Sequence, residues 1–151
     1  MSANPADPRA YPDRPIVAVS AAIIRDGRVL LAQRARLPAQ GVWTLPGGVV
    51  ESGETLTQAL IREIDEETQL KVEPVALAGH REVLVRDANG RAERHFIILC
   101  FATRWISGEP VLNEELAEAR WLKPSELEGL KTTDGLAEII ASAFERMGNA
   151  G

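Results

Sequence analysis

Ile16 to Ile24 is almost continuously apolar and rich in β-branched residues, a pattern that predicts a strand in the middle of a sheet. Asp26-Gly27 then offers turn chemistry, and Val29-Leu30-Leu31-Ala32 resumes the apolar run, so the two segments read as a hairpin. Arg34 to Gly41 is a polar loop containing Pro38, followed by the apolar stretch Val42 to Leu45 and by Pro46-Gly47-Gly48, which predicts a strong break. From Glu54 to Thr68 no glycine or proline intervenes, and Leu60, Ile61 and Ile64 gather on one side of a predicted helix. Val72 to Val85 and Arg94 to Trp105 read as strands joined by a turn at Asp87-Ala88-Asn89-Gly90. In the second of these, both alternating sets are apolar (Ile97, Leu99, Phe101 and Phe96, Ile98, Cys100), which predicts burial on both sides and makes Cys100 a core thiol. After the break at Gly108-Glu109-Pro110 come a short strand at Ala119 to Leu122 and a helical turn opened by Pro124-Ser125. An amphipathic helix from Thr133 to Met147 closes the chain, with Leu136, Ile139, Ile140, Ala143 and Phe144 at helical spacing.

Strands and helices thus interleave without a regular βαβ rhythm or an internal repeat, which predicts an α+β fold with a mixed sheet between helices. With 151 residues the chain is one domain long, and its single cysteine excludes a disulfide scaffold or a cysteine-based zinc site. Residues 1–15, with Pro5, Pro8, Pro12 and Pro15, read as a flexible lead-in to a domain over 16–147, and 148–151 as a tail. No apolar stretch of signal-peptide or membrane-helix type is visible, so a cytoplasmic location and no membrane partner are expected.

The net charge of −5 is unevenly spread. Between Gly48 and Leu70 stand six acids (Glu51, Glu54, Glu63, Asp65, Glu66, Glu67) and one base, Arg62, while the rest of the chain is neutral in total. A second acidic patch over 110–128 includes Glu114 and Glu115, and residues 1–47 are basic, with Arg25, Arg28, Arg34 and Arg36 on or beside the first hairpin. A solvated face is one account of such runs; a cation site beside a basic surface is the other.

On the 54–68 helix, Glu63, Glu66 and Glu67 fall on one face at i, i+3 and i+4. Like charges at that spacing destabilise a helix by about 0.2–0.5 kcal/mol per pair, and Arg62 can relieve only part of it. A hard divalent ion, Mg²⁺ or Mn²⁺, suits a set of oxygen donors of this kind. The glycine turn at 46–48 would let main-chain groups approach a ligand closely. By contrast His80 and His95 have no metal-site spacing, and strand tryptophans such as Trp43 and Trp121 are more often core than stacking surface.

Taken as one composite, Gly48, Glu54, Arg62, Glu63, Ile64, Glu66, Glu67 and Leu70 match the 23-residue signature box of the Nudix hydrolases, with Pro46-Gly47 preceding it in the family's manner. One position departs, because Gln69 stands where the box has glycine. The resemblance implies an α/β/α sandwich over residues 16–147. It also implies a Mg²⁺-dependent (or Mn²⁺-dependent) enzyme that hydrolyses the pyrophosphate bond of a nucleoside diphosphate derivative, ADP-ribose-like, by attack of water on phosphorus. The alternatives are hydrolysis of nucleoside triphosphates in a house-cleaning role and a nucleotide-sensing module without turnover.

Residue by residue, the resemblance assigns metal binding to Glu63, Glu66, Glu67 and the Gly48 carbonyl, and support of those glutamates to Arg62 and Glu54. Glu115 is the candidate base outside the box, with Glu114 as its neighbour. Glu63, Glu66 and Glu115 would then carry catalysis, and Arg34 and Arg36 substrate phosphate. A small nucleotide is the expected partner, a homodimer is among the assemblies implied, and nucleic acid is not expected, since no basic run interleaves with aromatics. A proline that marks one ADP-ribose-cleaving subgroup is absent, Val85 standing in its place.

Overall fold

The computed structural model describes residues 7–36 and 39–148. Pro38 of the predicted loop, the start of the lead-in and the last three residues of the tail lie outside them. Seven strands form one mixed sheet: β1 (Ile16–Arg25), β2 (Arg28–Arg34), β3 (Trp43–Thr44), β4 (Gly47–Val49), β5 (Lys71–Arg86), β6 (Ala92–Ser107) and β7 (Leu116–Leu122). The helices among the described residues are α1 (Leu56–Thr68) and α2 (Leu136–Gly148), with a 3-10 turn at Pro124–Glu126. The order across the sheet is β3-β2-β1-β6-β5, with β4 also paired to β1 and β7 to β2. Only β1 and β6 run parallel among the named strands, from Ile16 opposite Phe96 to Ile24 opposite Arg104.

The near-continuous apolar run of β1 is explained by its two covered faces. Val19, Ala21 and Ile23 join Leu30 and the α1 residues Ala59, Leu60 and Ile64 in one core cluster. Ala22 joins Val29, Leu31, Ala102 and the α2 residues Leu136, Ile140 and Ala143 in the other. The period of two along β1 therefore feeds two cores, one under each helix. Cys100 is buried as expected.

Three local expectations are corrected. The Gly47-Gly48 pair does not end a strand; it forms one, with Val19 opposite Gly48 and Ser20 opposite Gly47. A Cβ on Gly47 would overlap the Val19 carbonyl and Ser20 Cα, so only glycine lets the two backbones come this close. Ile61 is 42% exposed, because the buried row of α1 runs through Ala59, Leu60, Ile64 and Thr68 and leaves Ile61 one residue's rotation outside it. The start of β6 is half-buried, not fully buried, over residues 94–99, since α1 and α2 cover its second half.

From Asp7 onward the N-terminal segment makes specific contacts with the β5–β6 hairpin. Asp7 pairs with Arg94 at 2.8 Å, the Tyr11 N–H donates to the Glu93 carbonyl at 2.9 Å, and the Tyr11 hydroxyl donates to Asp87 at 3.0 Å. No helix among the described residues is long and apolar enough to cross a membrane.

Candidate active site

Helix α1 begins at Leu56, two residues later than the uninterrupted pattern suggests, because Thr55 caps it. The Thr55 hydroxyl accepts from the Gln58 N–H at 3.1 Å while the Gln58 side chain accepts from the Thr55 N–H at 2.9 Å, a reciprocal capping box. This leaves Glu54 just outside the helix, where its carboxylate turns back on Arg62. Arg62 binds it through Nε at 2.6 Å and Nη2 at 2.8 Å, a bidentate pair. The Glu51 N–H also donates to Glu54 at 2.9 Å, and the Arg62 contacts together with that bond hold the Glu54 carboxyl down at about 2.

Arg62 is the hub of the box. Its Nη1 reaches Glu63 at 2.9 Å and Glu66 at 3.3 Å, and its Nη2 donates to the Val49 carbonyl of β4 at 3.1 Å. One guanidinium thus ties the glycine strand, the loop acid and two helix glutamates together, a task that lysine's single ammonium could not perform.

The three helix glutamates are not equivalent. The Glu66 side chain is 57% exposed, whereas that of Glu63 is 14% exposed and lies over Gly48, where any Cβ would collide with its carboxylate. Glu67 is turned inward and accepts from the Gly47 N–H at 2.9 Å. Burial, first of all, and then the fields of Glu63 and Glu115 push its carboxyl up to about 7, against the Gly47 N–H and Arg34, which lower it. Glu63 is likewise raised, chiefly by burial. The acidic strip foreseen on spacing is therefore split into an inner row, Glu63 and Glu67, beside the buried Leu60 and Ile64, and an outer residue, Glu66.

Glu115 comes into reach of this row through a residue the sequence did not single out. The Asn113 N–H donates to the Glu67 carbonyl at 3.2 Å and its side-chain amide to the Glu66 carbonyl at 3.4 Å, while its side-chain oxygen accepts from the Glu115 N–H at 2.9 Å. The loop before β7 is thereby pinned to the last turn of α1, and the Ala35 N–H holds it from the other side at the Glu115 carbonyl. An asparagine two residues ahead of an acid is a turn former, yet nothing in the spacing says what that turn will meet.

Of the arginines, Arg34 on β2 acts on Glu67, while Arg36 pairs with Glu114 at 2.7 Å on the exposed surface. Arg25 lies over the Trp105 ring at 3.9 Å and pairs with Glu109, and Arg28 pairs with Glu126, so the structure engages both elsewhere. Trp43 is buried and Trp121 packs against the α1 cluster, as expected of strand tryptophans. His80 and His95 sit opposite Leu99 and Leu84 on the β5–β6 hairpin, away from the box.

Among the described residues no three His, Cys, Asp or Glu groups converge into a ready-made metal cluster. Glu63 and Glu66 are instead both bound to Arg62. The donor set nonetheless suits a hard cation. It is all oxygen, and the Glu67 carboxyl, raised by burial and by Glu63 and Glu115 beyond what the Gly47 N–H and Arg34 offset, sits where the positive charge of a divalent ion would be favourable. Two surface depressions of about 490 and 460 Å³ lie elsewhere, one at the tip of the β5–β6 hairpin and one beside Arg25 and Trp105.

The sequence model of the family described as NUDIX domain matches residues 14–143. The chain belongs to the Nudix hydrolase family. A relative named ADP-ribose pyrophosphatase, from Methanocaldococcus jannaschii, is 38% identical over 107 residues, which cover 71% of this chain and 61% of that protein. The NAD-capped RNA hydrolase NudC of Photobacterium profundum is 31% identical over 122 residues, 79% of this chain and 42% of its own length. The chain thus spans between about two fifths and three fifths of these curated relatives. The crystal structure of a MutT NUDIX hydrolase from Burkholderia pseudomallei superposes with a TM-score of 0.71 at 30% identity, covering 86% of this chain and 98% of that one. The mixed sheet between two helices is therefore the Nudix fold.

Proposed function

We propose that this Nudix chain hydrolyses the pyrophosphate linkage of a nucleoside diphosphate derivative, ADP-ribose-like, with a divalent cation held by Glu63, Glu67, Glu66 and the Gly48 carbonyl. The observation that carries the reading is the buried Glu67 carboxyl, raised to about 7 beside Glu63 and Glu115 and drawn to the Gly47 N–H. The two curated relatives support the substrate class: ADP-ribose and the NAD cap named for them both join a nucleoside diphosphate to a second moiety.

Bound at these oxygens, Mg²⁺ or Mn²⁺ supplies charge neutralisation for the phosphates and a lowered pKa for water. Arg62, fixed by Glu54, acts as a positioning residue that sets the rotamers of Glu63 and Glu66. Glu115, exposed and set by Asn113, accepts the proton of the attacking water. Arg34 meets substrate phosphate, joined by Arg36 when that side chain exchanges Glu114 for the ligand.

The test is product release from ADP-ribose, NAD and a set of nucleoside triphosphates, with and without Mg²⁺ or Mn²⁺. Metal-dependent cleavage of the diphosphate-linked substrates is expected, abolished by Glu63→Gln with Glu67→Gln. Glu115→Gln should lower kcat by about 10²–10⁴-fold, the worth of a positioned base, with Mn²⁺ affinity unchanged. Preference for triphosphates overturns the substrate class; nucleotide binding without turnover points to a sensing module; metal-independent release overturns the mechanism.

A further inference from the structure

β5 is an outer strand of the sheet, paired with β6 on one side and terminating the order β3-β2-β1-β6-β5. An unpaired strand edge is a template for another strand, and folded proteins blunt it with proline, bulges or charge. The first half of β5 is blunted in this way. Pro74 lies there, and Val75 and Ala78 are extra residues that shift its register against β6. From Gly79 to Val85, however, β5 pairs with β6 without a shift of register, the next irregularity being an extra β6 residue, Glu93, opposite the Val85–Arg86 step, and within this stretch Leu84 and Val85 are 44% and 43% exposed.

The same stretch is self-complementary. About Leu84, the run Arg81-Glu82-Val83-Leu84-Val85-Arg86-Asp87 sets arginine against aspartate, glutamate against arginine and valine against valine. We propose that β5 pairs antiparallel with β5 of a second copy of this chain, centred on Leu84, so that one sheet continues through a two-fold axis. Directly opposite residues of an antiparallel pair share a face with Cβ atoms about 4.5–5.5 Å apart. Glu82 of each copy then faces Arg86 of the other, with Asp87, one residue past the end of β5, beyond Arg81, and two-fold symmetry makes the Glu82–Arg86 contact twice.

Adjacent registers are poorer. Centring on Val83 sets Leu84 against Glu82 and Val85 against Arg81; centring on Val85 sets Leu84 against Arg86 and Val83 against Asp87. Each buries an aliphatic side chain beside a charge. The Glu82 and Arg86 charges are also available to a second copy. Among the described residues Glu82 forms no ion pair, and the Arg86 guanidinium donates to the Gly90 carbonyl at 2.9 Å without meeting a carboxylate. Asp87 is a fixed anion, held by the Tyr11 hydroxyl and the N–H groups of Asn89 and Arg91.

Sedimentation equilibrium of the whole chain over a concentration series tests the proposal. A monomer–dimer equilibrium is expected for the unaltered chain. Glu82→Arg and Arg86→Glu each turn two attractive contacts into two repulsive ones, which should weaken association about tenfold or more. The double variant should recover it. An equimolar mixture of the two single variants should form a heterodimer, because each supplies the charge the other lacks, and this outcome also shows that both singles are folded. A chain that stays monomeric throughout the series, or single variants that associate as tightly as the original, overturns the pairing.

Discussion

Replacing Gln69 with glycine should stabilise the protein. Gln69 follows the last residue of α1 at φ 60° and ψ 17°, a left-handed conformation that costs an L-residue about 1–2 kcal/mol. Its neighbours fix that conformation. The Gln69 N–H donates to the Asp65 carbonyl at 2.9 Å, and the chain must reverse there for Leu70, only 1% exposed, to enter the α1 core. The side chain itself is exposed and forms no hydrogen bond with a described residue, so its loss removes no contact of that kind. Against the relief stands the extra freedom glycine gives the unfolded chain, about 0.4–1 kcal/mol. The balance is a gain of about 0.5–1 kcal/mol, or about 1–4 °C in melting temperature for a domain of this size. Thermal melts followed by circular dichroism, paired with urea titrations, read the effect directly. Gln69→Ala serves as the control, since it keeps the Cβ and the strain and should not exceed the original chain. A Gln69→Gly protein that melts at or below the original would refute the reasoning, by showing that the left-handed turn carries no strain.

The two glycines of β4 should fail in different ways. In Gly48→Ala the new methyl meets first the carboxylate end of Glu63, a side-chain terminus that can turn aside, so the melting temperature should change far less than in Gly47→Ala while turnover falls about 10²-fold from the displaced carboxylate. In Gly47→Ala it meets the backbone of Val19 and Ser20, and thermal melts should show a substantially destabilised fold. The Glu67 carboxyl predicts a pH dependence. Its pKa rises on folding from the ordinary 4.5 to about 7, so the folded state holds the extra proton between those values. Its contribution is fully present below pH about 4.5 and is lost as pH rises toward 7 in the metal-free protein. Urea titrations should show that slope, and Glu67→Gln should remove it; an unchanged slope would place the effect on other groups.

The elements were largely legible in the sequence because their signals are local. The hairpin at Asp26-Gly27, the long β5 and β6, and both helices follow from periodicity and turn residues, and their observed ends differ from expectation by three residues or fewer. Where reading failed, a distant partner had decided the outcome. Gly47-Gly48 looks like a break, yet the pair is a strand because β1 lies against it. Ile61 looks like core, yet the sheet meets the helix along Leu60 and Ile64.

The candidate site divides along the same line. The identities and order of Glu54, Arg62, Glu63, Glu66 and Glu67 are properties of the sequence, since a helix fixes which residues share a face. So is the concentration of the whole net charge between Gly48 and Leu70. What only the tertiary structure decided is which glutamates are buried, that Arg62 reaches from Glu54 to the Val49 carbonyl, and that Asn113 carries Glu115 to the end of α1. Those outcomes depend on desolvation and on contacts between segments far apart in the chain. Neither quantity is defined until the backbone has closed around the site.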